Sequence, residues 1–312
     1  MTWKILITDG IESAGKEILT QECIVDDKKG IEAAELLQII SEYDAVIIRG
    51  RTKMTAEVIA AAKNLKVIGR MGVGVDNIDL KAAQAHQISV VNAAVATTQA
   101  VAELTLGFMF ALVREIPRAD ASMKAGQWLK KEFNGAELFG KTLGIIGFGN
   151  IGSTVGKYAQ ALGMNVLAFD PFRDQANIIA QGAECVSFDE LLSRSDMISI
   201  HAPYKEQNHH LINDEAFAKM KDGVFLVDDA RGGIVDEEAL LRALESGKVR
   251  GAALDVYEKE PPINWDLVKH PKVIATPHIG AQTKEAQCRA AVDISTEVLN
   301  ALNGKPLRWK IC

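Results

Sequence analysis

Leu143-Gly144-Ile145-Ile146-Gly147-Phe148-Gly149-Asn150-Ile151-Gly152 reads as a buried strand that runs through a glycine turn into a helix. The three glycines have separate tasks. Gly147 permits the tight turn, Gly149 lets the backbone approach a pyrophosphate, and Gly152 lets helix and strand pack closely. Asn150 and Ile151 open the helix, whose free N–H groups and dipole favour the anion. Glycine spacing alone is weak evidence. Here a second strand, Val166-Leu167-Ala168-Phe169, follows and ends at Asp170, at the distance where an acidic residue accepts from a ribose 2′-hydroxyl. A carboxylate there repels a 2′-phosphate, so the expected cofactor is NAD; Arg173 is the one neighbour that could reach such a phosphate.

A large block of sequence precedes this fingerprint, and it has its own pattern. Ile5-Leu6-Ile7, Ala45-Val46-Ile47-Ile48, Val67-Ile68 and Ile88-Ser89-Val90-Val91 read as strands. Helical patterns separate them at Ile11–Leu19, with Gly15 a weak point, at Ile31–Ile40 and at Asp79–Ala85. Such alternation implies a parallel sheet covered on both faces. A long helix is expected from Thr98 to Glu115, stopping before Pro117. Beyond the fingerprint, strands are expected at Met197–Ile200, Val224–Val227, Ala252–Leu254 and Val273–Ala275, then a helix from Gln282 to Leu302 with Gly304 and Pro306 as its stop. The fold class is therefore α/β, with two doubly wound parallel-sheet domains, one flavodoxin-like and one a Rossmann NAD-binding domain.

Bulk composition narrows the function classes. The chain is 48% hydrophobic and 24% charged, with a formal net charge of -6. That balance argues against nucleic acid as a partner, because phosphate contacts need a basic surface. No apolar run approaches a membrane span, and the N-terminus turns polar at Thr8-Asp9, too soon for a signal peptide. A cytoplasmic protein is the expectation. Cys23, Cys185, Cys288 and Cys312 are widely spread and read as reduced thiols. His209-His210 has no evident third ligand, and adjacent histidines usually point to different sides, so no metal site is expected.

Three segments after predicted strands of the second sheet carry chemistry: Ala230-Arg231-Gly232-Gly233, Glu260-Pro261-Pro262 and Thr276-Pro277-His278-Ile279-Gly280. Ligands of open α/β sheets bind beyond the carboxyl ends of strands. An Arg grips a carboxylate by two parallel hydrogen bonds. A His takes or gives a proton near neutrality, and a Glu bonded to it fixes its tautomer.

Together with Gly69-Arg70-Met71-Gly72-Val73-Gly74-Val75-Asp76-Asn77-Ile78-Asp79, Ala102-Glu103-Leu104-Thr105, Gly140-Lys141-Thr142, Ile234-Val235-Asp236-Glu237, Ala253-Leu254-Asp255-Val256-Tyr257 and Thr283-Lys284-Glu285-Ala286-Gln287, these segments give a resemblance over essentially the whole chain. The sequence resembles the D-isomer-specific 2-hydroxyacid dehydrogenases, and among them looks most like the phosphoglycerate dehydrogenases. The resemblance implies Arg231, Glu260 and His278 as the catalytic set. It implies Ala202, Pro203, Asp229, Ala230, Asp255 and Gly280 as further cofactor contacts, with Asp255 on the nicotinamide amide. His201 is expected to be structural or to line the cofactor.

The resemblance also implies a discontinuous substrate domain, residues 1–94 and 282–312, with the NAD-binding domain at 95–281 inserted and the active site in the cleft between them. A homodimer through the NAD-binding domain is implied, as is the absence of a C-terminal regulatory domain. The implied reaction is NAD-dependent oxidation of 3-phospho-D-glycerate to 3-phosphohydroxypyruvate, the first step of serine biosynthesis. A glyoxylate or hydroxypyruvate reductase, another D-2-hydroxyacid dehydrogenase and an NAD(H)-sensing corepressor are the alternatives. Arg49, Lys53 and Arg70, at or just past strand ends of an acidic protein, favour a phosphorylated anionic substrate. Arg51 is expected to be a solvated loop charge. Gly72, Val73 and Gly74 complete the expected substrate contacts, with Arg231 again. Three departures from the family pattern bear on substrate: Asp228 in place of Asn, Asn92-Ala93-Ala94 in place of Asn-Thr-Pro, and Thr97. A carboxylate at 228 is expected either to pair with Arg231 or to repel an anion.

Overall fold

Short apolar runs become parallel strands throughout the computed structural model, which describes residues 2–312. The chain divides into two units, Met1–Thr97 with Ala281–Cys312, and Thr98–Gly280. In the first, β1 (Trp3–Ile7), α1 (Ser13–Thr20), β2 (Cys23–Asp27), α2 (Ala33–Ile39), β3 (Ala45–Ile48), α3 (Ala56–Ala61), β4 (Val67–Arg70), α4 (Leu80–Ala85) and β5 (Ser89–Asn92) alternate. The second runs through α5 (Thr98–Val113), α6 (Ile116–Lys124), β6 (Thr142–Ile146), α7 (Asn150–Ala161), β7 (Asn165–Phe169), α8 (Gln175–Ala180), β8 (Glu184–Cys185), α9 (Phe188–Arg194) and β9 (Met197–Ile200). It continues through α10 (Asp214–Lys219), β10 (Val224–Asp228), α11 (Glu237–Glu245), β11 (Val249–Leu254), α12 (Trp265–Val268) and β12 (Val273–Ala275). The closing helix α13 (Lys284–Leu302) belongs to the first unit.

The first unit's sheet has the order β2-β1-β3-β4-β5, all parallel. Its residues alternate between two cores as strand pleating requires. Ile5, Ile7 and Val67 face α13 residues Ile294 and Val298, while Leu6, Val46 and Ile68 face Leu36, Ile59 and Ile88. Gly15 is not a weak point of α1. A Cβ there would lie 2.7 Å from the Ala291 carbonyl oxygen, so glycine lets α1 and α13 approach backbone to backbone. The tail after α13 runs antiparallel along β5: Ile311 N–H donates to Val90 O at 2.8 Å and Val90 N–H to Cys312 O at 3.2 Å. That tail covers an otherwise open sheet edge. Buried Glu297 holds it by accepting from Arg308 N–H at 2.9 Å and Trp309 N–H at 3.2 Å.

The second sheet has the order β12-β11-β10-β9-β6-β7-β8, again all parallel. Strand order reverses between β6 and β9, the position where doubly wound sheets open a crevice for ligand. The central strands β9 and β10 are buried along their whole length, as strands covered on both faces must be. Pro117 does not merely stop α5. Arg114 and Glu115 make the break, with Glu115 left-handed at φ 52, and Pro117 sits in the first turn of α6, where its missing N–H costs nothing. Among the described residues no helix is long and apolar enough to cross a membrane.

Candidate active site

The glycine turn lies between β6 and α7. Gly147 has φ 88, which disfavours any side chain, and a Cβ there would lie 2.7 Å from the backbone of His201 and Ala202 just past β9. A Cβ on Gly152 would collide with the Gly147 carbonyl. Nothing crowds Gly149, which precedes the first turn of α7 and leaves the helix N-terminus open. Asp170, just past β7, accepts from Phe148 N–H at 2.8 Å and from Phe172 N–H at 2.9 Å. One carboxylate thereby braces the turn while keeping lone pairs for a ribose hydroxyl. An open helix end beside a braced glycine turn and a carboxylate fits the pyrophosphate and ribose of NAD.

Arg231, Glu260 and His278 come from the loops after β10, β11 and β12, which are adjacent in the sheet. His278 Nδ1 lies 2.8 Å and 3.0 Å from the two Glu260 oxygens. Burial by itself pushes the Glu260 carboxyl up, but the His278 hydrogen bond and charge, with Tyr257 N–H and Arg231, hold it below its ordinary value. With Nδ1 engaged, Nε2 is the nitrogen left for a substrate. His278 is left-handed, φ 54, an uncommon state for a non-glycine residue that recurs at functional sites. The Arg231 guanidinium donates to Ala230 O at 2.7 Å.

Asp255 sets the His278 loop. Its two oxygens accept from Thr276 Oγ1 at 2.6 Å, Ile279 N–H at 2.7 Å and Gly280 N–H at 2.8 Å. Burial raises its pKa against those donors. The sequence offers Asp255 as a cofactor contact; in the structure its carboxylate is largely engaged inside the protein. Tyr257 was not read from the sequence as a tie. Its buried hydroxyl lies 3.0 Å from Thr276 O and 3.3 Å from Leu254 O, joining the β11 and β12 loops, and burial pushes its pKa up to about 12. The only signal for it was its place in Ala253-Leu254-Asp255-Val256-Tyr257.

Of the two expectations for Asp228, the link to Arg231 has support: the Arg231 charge and its backbone N–H both act on the Asp228 carboxylate. The Asp228 side chain is buried and accepts from Ala230 N–H at 3.1 Å, bracing the Arg231 loop from beneath. Burial pushes its carboxyl well above the ordinary value and neighbouring Asp229 adds to this, while the Ala230 and Arg231 N–H groups and the Arg231 charge pull the other way. The Asp229 side chain is also buried. Thr105 Oγ1 is 2.5 Å from Asp229 Oδ2 and 2.9 Å from Val101 O, two acceptors for one hydroxyl proton. His201 Nδ1 faces Asp229 Oδ1 at 3.3 Å without hydrogen-bond alignment, and its Nε2 lies 2.7 Å from Ser199 Oγ. Ala202, Pro203, Ala230 and Gly280 lie on the loops that follow β9, β10 and β12.

His209 and His210 do not diverge. His210 is left-handed, φ 51, and the two rings stack with centroids 3.8 Å apart. A third and fourth group do accompany them: the ligand atoms of His210, Asp236 and Glu258 lie within 4.8 Å of one another. Distant loops supply them, so spacing in the sequence could not show it. Existing bonds occupy these groups, since Asp236 caps α11 through Ala239 N–H at 3.0 Å and Glu258 holds His210 Nε2 at 2.7 Å.

In the first unit, Arg49, Arg70 and Gly72–Gly74 all sit at carboxyl ends of β3 and β4, with exposed Lys53 just beyond. The Arg49 guanidinium bonds the Gln287 side chain of the segment opening α13, and the Arg49 backbone N–H donates to Asp9 Oδ2 at 2.7 Å. The Arg70 guanidinium lies where a Cβ of Gly72 would be, so glycine is required there. Asn92, at the end of β5, donates to Val73 O at 2.7 Å and pins this loop. Arg51 is not a free loop charge. It bonds Asp9 at 3.0 Å, Ile31 O at 2.9 Å and Thr8 O at 3.2 Å.

Residues 106–280 match the family described as D-isomer specific 2-hydroxyacid dehydrogenase, NAD binding domain, and the chain belongs to that family. Among curated relatives, the D-3-phosphoglycerate dehydrogenase of Archaeoglobus fulgidus is 47% identical over 307 residues, which cover 98% of this chain and 58% of that protein. This chain thus spans a little over half the length of that relative. The hydroxypyruvate reductase of Thermotoga maritima is 44% identical over 304 residues, 96% of this chain and 98% of that one. Among solved structures, a glyoxylate reductase from Paecilomyes thermophila superposes with a TM-score of 0.92 at 32% identity, over 99% of this chain and 98% of the other.

Proposed function

We propose that this chain oxidises 3-phospho-D-glycerate to 3-phosphohydroxypyruvate with NAD, the first step of serine biosynthesis. The observation that carries the reading is the Glu260–His278 pair, 2.8 Å apart, on loops adjacent to that of Arg231 in an NAD-binding domain. Arg231 holds the substrate carboxylate by its planar fork. His278 Nε2 removes the C2 hydroxyl proton, and Glu260, bonded to Nδ1, orients the ring and stabilises the imidazolium that forms. In the opposite direction the protonated ring polarises the keto oxygen and returns the proton. The chemistry that bound NAD supplies is acceptance of the C2 hydride. Gly147, Gly149, Asn150, Ile151 and Gly152 would hold its pyrophosphate, and Asp170 its ribose.

Arg49, Lys53 and Arg70, with Gly72, Val73 and Gly74, are the proposed substrate contacts of the first unit, and the arginines are suited to a phosphate. Exposed Phe110, Ile116, Met123 and Trp128, the last 76% exposed, lie on or just after α5 and α6, and support a homodimer formed through the NAD-binding unit. The proposed setting is the cytoplasm. The hydroxypyruvate reductase matched end to end favours one second reading, reduction of unphosphorylated hydroxypyruvate.

The test follows NADH absorbance with 3-phosphoglycerate, glycerate, lactate and malate, and in reverse with hydroxypyruvate and its phosphate. Preference for the phosphorylated pair supports the first reading, and preference for hydroxypyruvate the second. No turnover on any of them would overturn both. Substituting Arg49 or Arg70 is expected to raise KM for phosphoglycerate more than for glycerate; equal effects would remove the phosphate role.

A further inference from the structure

The later part of the loop between β9 and α10, beyond the expected cofactor contacts Ala202 and Pro203, has no role in the chemistry proposed above, yet His210 within it touches both neighbouring loops that do. Its N–H donates to Gly233 O at 2.8 Å, and Ile212 pairs with Val235 as a parallel bridge, so this loop lies along the segment that follows Arg231. Its ring nitrogen Nε2 is 2.7 Å from Glu258 Oε1, and Nδ1 is 3.7 Å from Asp236 Oδ2. Glu258 N–H donates in turn to Glu237 Oε1 at 2.8 Å. The backbones of the two chemical loops meet at the same place, because a Cβ on Gly232 would collide with the Tyr257 carbonyl oxygen. Gly233 lies two residues after Arg231, and Glu258 two before Glu260. Stacking of His209 at 3.8 Å fixes the plane of the His210 ring.

We propose that His210 is a positioning residue: clamped to Glu258, it fixes the loop of Glu260 against the loop of Arg231 and so sets the spacing between the substrate grip and the acid/base pair. A planar ring with one nitrogen toward each carboxylate spans this junction with few rotatable bonds, which a lysine could not do. The proposal deepens the dehydrogenase reading and rests on it.

The variant of choice is His210→Gly, because glycine adopts a φ near 51 without strain and the change removes the ring alone. It is expected to lower kcat and raise KM for the hydroxy acid, each by about tenfold, since misplacement of about 1 Å costs up to 10²-fold. NADH affinity should stay within about twofold, a far smaller change than that misplacement brings. Glu258→Ala should behave alike, and the double variant should be no worse than the poorer single one. Glu258→Gln, whose amide oxygen still accepts from imidazole, should retain most activity. Hydrogen–deuterium exchange reads the clamp independently of turnover, and His210→Gly should accelerate it in residues 230–233 and 256–260. Unchanged exchange there, unchanged kcat and KM in an active enzyme, or additive losses in the double variant would overturn the proposal. Absence of turnover by the wild type would instead count against the dehydrogenase reading, with exchange still deciding the clamp.

Discussion

His278 carries the proton step at the scale of single residues, and His278→Ala is expected to lower kcat by about 10²–10⁴, the usual worth of a general base. Steady-state rates with unchanged NADH affinity would verify this, and a loss under about tenfold, short of that range, would remove the role. Two carboxyls make opposite pH predictions. Glu260 is depressed in the folded state, so the stability it adds is present above the unfolded value of about 4.3 and lost as pH falls through the folded one. The gap in Tm between wild type and Glu260→Gln should therefore close as the solution is acidified below about pH 4. Asp228 is raised, so its contribution is complete below the unfolded value of about 3.9 and is lost as pH rises toward the folded one. Asp228→Asn keeps an acceptor for Ala230 N–H and carries no charge. It should melt above wild type at alkaline pH, with the advantage shrinking towards about pH 4, and equal Tm at all pH would contradict this. The sequence made the pairing of Glu260 with His278 legible because each residue type has a distinct chemical task. It could not show that the Asp228 and Asp229 side chains are buried, since that depends on what packs beneath the loop.

Elements were legible wherever the apolar run was fully buried. Ala45-Val46-Ile47-Ile48 and Met197-Ile198-Ser199-Ile200 are central strands and read as such. The strands β2, Cys23-Ile24-Val25-Asp26-Asp27, and β8, Glu184-Cys185, were not anticipated. Both are sheet edges with one neighbour each, so polar residues are tolerated and the apolar signal fades. Gly15 was misread for a related reason: helix propensity counts it as a fault, whereas its value lies in a partner helix far along the chain. Gly15→Ala is expected to destabilise the first unit by about 1–3 kcal/mol, the usual cost of overpacking. Urea unfolding would measure it, and a neutral or stabilising result would mean that α1 and α13 can separate without loss. The glycine turn makes a second element-scale prediction. A side chain at 152 collides with Gly147 O, so Gly152→Val should weaken NADH binding by more than about tenfold in a fluorescence titration, about 1.4 kcal/mol.

At the scale of the molecule, the chain leaves its first unit at residue 97 and returns to it at 281. Residues 98–280 contain both cores of their own sheet. Expressed alone, that segment is expected to fold cooperatively and bind NADH, which calorimetry and titration would check; an unfolded fragment would show that it depends on the flanking chain. Residues 1–97 lack α13, which supplies Ile294 and Val298 to one face of their sheet, and should not fold alone. This arrangement has a consequence for birth on the ribosome. At about 5–20 residues per second, the five N-terminal strands wait on the order of 10–40 s for α13 to emerge. The later-encoded unit can be complete before the first-encoded one. Through that interval the face of Ile5, Ile7 and Val67 is a nascent apolar surface without its lid, so the step most exposed to aggregation and most open to chaperones belongs to the residues made first.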